Sequence, residues 1–176
     1  MNYPVHAVPP LEHWAHSSGR FTLAGDAAHA MAFYLSMGVS LAVEDAVSLT
    51  AALDLVCPTS ATDATSRDGV DNEKLKVSLN SYETVRMRRA QAVQQASLYA
   101  GDMLHIPGNR EREILYESLK GADEDTPIPP AGHTNDRGAP PSSNHIYYGL
   151  MDRQTRDWCY GYDAVADVAQ HVSNVL

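Results

Sequence analysis

The residues best suited to chemistry in this chain lie in the run Gly25-Asp26-Ala27-Ala28-His29-Ala30-Met31. Gly25 permits a tight turn and lets a ligand come close to the backbone. Asp26, just past the apolar run Arg20–Ala24, offers an acceptor for sugar-like hydroxyls. A dozen residues on, Gly38 and Val39 stand at the start of a small-residue helix. The free N–H groups and positive dipole end of such a helix suit an anion or an electron-rich carbonyl. Together the two features fit a ligand with polyol and anionic character. By itself, Gly-Asp after a strand more often marks a structural turn.

Other groups carry weaker signals. His29 and Asp26 are the candidate acid–base residues of the segment, although a histidine after such a turn is more often held structurally by a hydrogen bond. His13 and His16 lack a third ligand nearby, so no metal site is expected. Glu44 and Asp45 are adjacent and point about 100° apart on a helix, which argues against a shared acid–base pair. One of them is expected to pair with Arg86, Arg88 or Arg89 across helices. No Gly-x-Ser-x-Gly elbow or phosphate-binding Walker loop occurs in the chain.

The elements that must position these residues follow from the apolar pattern. Arg20–Ala24 reads as a short buried strand stopped by Gly25. Residues 40–56 are nearly all apolar or small, which predicts a helix buried on most sides. Cys57-Pro58 ends it, and a polar loop runs to Asp71. A long helix is predicted from Glu73 to His105, where Leu75, Leu79, Tyr82, Val85, Val93, Ala96, Ala100 and Met103 recur at mostly three- and four-residue steps. A shorter amphipathic stretch covers Arg110–Lys120. Residues 121–144 form a Pro/Gly-rich linker or loop, and 145–176 is an aromatic segment expected to pack back on the first domain, residues 1–120.

Composition narrows the functional classes. The 176 residues carry a net charge of -9, from 13 basic and 22 acidic side chains, which argues against nucleic acid and anionic membrane surfaces as partners. No stretch reaches the roughly 20 apolar residues of a membrane span. Two cysteines, Cys57 and Cys159, are too few for a disulfide framework, and a cytoplasmic location is the default expectation.

The wider string adds a resemblance. Trp14, Gly19-Arg20, Gly25–Met31 and Glu44-Asp45-Ala46 resemble the flavin-contacting C-terminal motif of FAD-dependent aromatic-ring monooxygenases, the salicylate-hydroxylase-like branch among them. Tyr82-Glu83, Arg86, Arg89-Ala90 and Val93-Gln94 are similar to that family's long C-terminal helix, and Trp158–Ala164 to its aromatic ending. The resemblance implies an α/β family fragment that is mainly α-helical: one strand of the flavin-domain sheet, a buried helix and a long C-terminal helix. It implies FAD as cofactor, with Asp26 on the ribityl hydroxyls, Gly25 to Ala27 near the pyrophosphate, and Gly38-Val39 beside the isoalloxazine ring. The implied activity is flavin-supported hydroxylation of a small aromatic or polyketide-like compound.

Two departures from the family pattern stand out. No Gly-x-Gly-x-x-Gly occurs in this sequence to bind the ADP half of FAD. The family's Pro-Pro after the Met is replaced by Ala32-Phe33, and its Gln-Gly-Ala-Gly by Met37-Gly38-Val39-Ser40, which makes the pocket more apolar. Two other readings therefore stand beside the first. One is a non-redox enzyme catalysing cyclisation, rearrangement or dehydration with Asp26 and His29. The other is a non-catalytic piece whose exposed apolar faces call for a homodimer or a separate N-terminal partner.

Overall fold

The computed structural model describes residues 6–56, 72–105 and 153–175, together with Gly108, Arg110 and Glu113. Cys57, the polar loop after it, most of the stretch 106–120, the Pro/Gly-rich linker and the pair Tyr147-Tyr148 lie outside the described residues. Within them the chain is mainly helical. Helix α1 spans Asp26–His29, a 3-10 turn Phe33–Leu35, α2 Gly38–Val56, α3 Asn72–Leu104, α4 Arg153–Tyr160 and α5 Ala164–Val175. At 1.5 Å per residue α3 is about 50 Å long and serves as the spine. It packs along α2, α5 and the 3-10 turn, while α5 also lies on α2.

The expected strand is reduced to a single pairing. Arg20–Ala24 makes one antiparallel bridge, between Thr22 and Ala15, and no strand occurs among the described residues. A strand needs a neighbour's N–H and C=O groups along its length. Among the described residues the only main-chain partner is the lead-in, through Leu23 N–H to Trp14 O at 3.1 Å and His16 N–H to Phe21 O at 2.9 Å.

Side chains of α3 supply what a sheet would otherwise provide. The carboxylate of Glu83 accepts from the backbone N–H groups of both Trp14 and Ala15. Tyr82 donates its hydroxyl to Leu23 O, and Gln94 its amide to Val8 O and Ala30 O. Ser97 donates to Ala32 O at 2.6 Å. One face of α3 thus satisfies the polar backbone of an irregular segment that crosses it, which buried main-chain groups require. Burial alone would raise the Glu83 carboxyl; the Ala15 N–H, His13 and the Trp14 N–H outweigh it and hold it below its usual range.

Helix α2 differs from its expected burial. Only a narrow seam is fully enclosed, formed by Leu41, Asp45, Ser48 and Ala52, whose steps of four, three and four residues keep them on one face. Val39, Val43, Val47 and Leu55 are exposed. The described neighbours α3 and α5 cover one side of α2, so composition alone overstated how much of it is hidden. On α5 the buried positions Ala164, Val168 and Val172 recur every four residues, and Asp163 caps the helix by accepting from Ala166 N–H at 2.9 Å.

Candidate functional site

The site grows from Gly25. Its backbone sits at φ 58°, ψ -142°, a region that side-chain-bearing residues rarely occupy. This conformation turns the chain sharply into α1, where Ala28 and His29 donate their N–H groups back to Gly25 O, each at 2.9 Å. The turn rests on α2: a Cβ placed on Gly25 would stand 3.5 Å from the Ala42 Cβ. Ala42 is one helical turn from Gly38, so the Gly25-Asp26 turn and the N-terminus of α2 share one end of the molecule.

Asp45 pins the turn there. Its Oδ2 accepts from Gly25 N–H at 2.8 Å and from His29 Nε2–H at 2.7 Å, and its Oδ1 from Arg86 Nε–H at 2.9 Å. Burial works to raise the Asp45 carboxyl, yet the bonds from His29 and Gly25 and the charge of Arg86 prevail and leave it below its ordinary value. Arg86 also reaches Glu44 Oε2 at 2.7 Å and Leu41 O at 3.3 Å. Arg89 holds both oxygens of Glu44, at 3.3 and 3.2 Å, and donates to Trp158 O and Cys159 O at 3.0 and 2.8 Å. Its guanidinium stands 4.4 Å from the Tyr162 ring centre and 4.7 Å from that of Trp158. The two carboxylates and two guanidinium groups cancel in charge, the condition under which such groups tolerate burial.

The predicted site residues divide into two sets. Asp26 and Ala27 are exposed, and the Asp26 carboxylate has no hydrogen-bond partner among the described residues. Among the described residues nothing lies within 4 Å of a Cβ added at Gly38, and Val39 is 80% exposed. His29 is fully buried, leans on the Trp14 ring at 5.4 Å and commits Nε2 to Asp45. The structure therefore makes no acid–base pair of Asp26 and His29. Glu44 and Asp45 both pair across to α3, as expected for one of them, whereas Arg88 is exposed.

Sequence reasoning missed the link from Gly25 and His29 to Asp45. The signal was present in the helical register. Asp45 falls on the same face of α2 as Leu41, Ser48 and Ala52, and Arg86 and Arg89 fall in the buried stripe of α3 with Tyr82 and Val93. Charges at core positions of facing helices must find one another.

Known proteins place this arrangement in a class. Residues 12–97, the span that holds the turn, α2 and most of α3, match the family of FAD binding domains. An FAD-dependent monooxygenase of Nectria sp is 29% identical over 70% of this chain and 26% of its own length. The 3-amino-4-hydroxybenzoate 2-monooxygenase of Streptomyces platensis is 31% identical over 68% of this chain and 28% of its own. An FAD-dependent monooxygenase of Beauveria bassiana is 25% identical over 95% of this chain and 32% of its own. The chain is related to the FAD-dependent monooxygenases, and it spans about a quarter to a third of the length of these relatives.

The residues present fit part of the family's cofactor. An exposed carboxylate with no partner among the described residues suits ribityl hydroxyls, and the N-terminus of a 19-residue helix, open among those residues, suits negative charge. The ADP half finds no Gly-x-Gly-x-x-Gly in this sequence.

Proposed function

We propose that Gly25-Asp26-Ala27 and the start of α2 at Gly38-Val39 hold the ribityl–pyrophosphate portion and the pyrimidine edge of FAD. The reaction served is monooxygenation of a small aromatic or polyketide-like compound. The observation that carries this reading is the exposed Asp26 carboxylate, free of partners among the described residues, on a turn clamped from below by a buried network one turn of α2 from that helix's N-terminus. The Streptomyces relative, named for an aromatic substrate, supports the substrate class.

Each residue has a distinct task. Asp26 accepts hydrogen bonds from ligand hydroxyls, a charge-assisted contact stronger than a neutral one. The first-turn N–H groups of α2 oppose negative charge on the bound ring. Phe33, 65% exposed, and Val39 give an apolar surface for a flat ring system. His29 holds the turn and exchanges no proton with ligand, since its ring is enclosed and Nε2 is engaged. Bound flavin supplies the redox and oxygen chemistry, and the protein's part is orientation and electrostatics.

A titration of the purified chain with FAD, followed by flavin fluorescence and visible absorbance, tests this directly. Saturable binding with a perturbed spectrum is expected. Asp26→Asn should weaken it by at least about tenfold, the loss of one charge-assisted bond, with helix content unchanged by circular dichroism. Absence of binding at high FAD, or equal binding by Asp26→Asn, would remove the proposal.

A further inference from the structure

We propose that Arg89 is a positioning residue for the ligand-facing turn, and that through it the C-terminal segment 158–162 sets the geometry of Gly25 and Asp26. The inference takes its ligand from the FAD reading above; its geometry stands apart from that reading.

The connection is continuous in hydrogen bonds and ion pairs. Trp158 O and Cys159 O accept from Arg89, Arg89 grips Glu44, Glu44 meets Arg86, Arg86 meets Asp45, and Asp45 holds Gly25 N–H and His29. Arg86, Arg89, Asp45 and His29 are each fully buried. Trp158 and Cys159 belong to the last turn of α4, where helical carbonyls lack intrahelical partners. Arg89 fills that need, and a cation at a helix C-terminus is favoured by the dipole as well. A guanidinium has a rigid fork of donors, so its partners on the two sides cannot move independently. A shift of α4 would take the buried Cys159 carbonyl, or the half-buried Glu44 that Arg86 also pairs with, away from Arg89, and a buried acceptor left without its donor costs more than the bond itself. The stacking of Arg89 on both Trp158 and Tyr162 fixes the guanidinium plane further.

A purely structural role would destabilise the whole fold evenly, whereas a positioning role loosens one turn. Amide hydrogen exchange on the full chain separates the two. In Arg89→Lys the Gly25 amide should exchange at least tenfold faster, while Val93 and Ala96 in the middle of α3 keep their rates. Arg88→Lys, an exposed neighbour, should change none of them. FAD affinity of Arg89→Lys should fall by a similar factor although Asp26 is intact. Trp158→Leu, at a half-buried position, is the second variant and should show the same local pattern.

An unchanged Gly25 rate, an even acceleration of all amides, or failure of both variants to fold would each overturn the inference. If the unaltered chain binds no FAD but the exchange pattern appears, the FAD reading falls and the positioning role stands. If FAD binds and Arg89→Lys alters neither affinity nor exchange, the positioning role falls alone.

Discussion

At Gly25 the conformation and the space around it can be weighed separately. A methyl group would meet Ala42 at an ordinary contact distance of 3.5 Å, so sterics with the neighbour do not forbid it. The backbone does, because φ 58° with ψ -142° is open to glycine and strained for other residues. Gly25→Ala should therefore cost about 1–3 kcal/mol, the range for a residue held in such a region, read as a lower urea midpoint with an unchanged slope. Asp45 makes a pH argument at the same scale. Its carboxyl is depressed in the folded chain, so its contribution to stability is full above the ordinary value of 3.8 and is lost as pH falls through the lower folded value. In a series of thermal melts, Asp45→Asn should be less stable than the parent at pH 6. The gap should narrow once the pH drops below 3.8. A constant gap would contradict this assignment.

Among the elements, the long helix was legible from the sequence because Leu79, Tyr82, Val93, Ala96 and Ala100 keep helical spacing and prove to be buried. The bounds of α2 were legible to within two residues for the same reason. The strand was not, since pairing depends on a neighbour that no local pattern reveals. The service of α3 to the segment 8–32 was hidden as well: Glu83 and Gln94 carry part of the family resemblance, but nothing in the sequence names the backbone groups they satisfy. Gln94 gives a test. Its amide donates to Val8 O and Ala30 O and is 6% exposed, so Gln94→Leu removes the donor to Val8 O and leaves Ala30 O with the Val8 N–H alone, at 3.0 Å. We expect a loss of about 1–3 kcal/mol, typical of an unsatisfied buried group, and faster proteolysis confined to the first 32 residues. Uniform protection in limited digestion would refute that.

For the molecule as a whole, the candidate site was legible in Gly25, Asp26 and Gly38, while the base beneath it was not, because Asp45, Arg86 and Arg89 converge only in the tertiary fold. Under the proposed function the described residues would contact one half of the cofactor, and the chain spans a minor part of its relatives' length. That division predicts poor discrimination between FAD and FMN, which share the ribityl–phosphate portion. Equilibrium titrations should give dissociation constants within a few-fold of each other. A preference for FAD of a hundredfold would mean that the chain contacts more than the shared portion, at the second phosphate or the adenosine. The outward stripe of Val39, Val43 and Val47 begins at the proposed ring-facing position. A partner or second copy lying on it would thus border the bound ligand.

Cys159 carries a further consequence. Its thiol is enclosed beneath the carbonyl that Arg89 holds, and burial pushes it up to about 11, so at neutral pH it is both shielded and protonated. A maleimide can reach it only in the moments when the end of α4 lifts away. In a Cys57→Ser background, the rate of labelling becomes a clock for those openings, and a bound ligand at the far end of the charge network should slow its ticking.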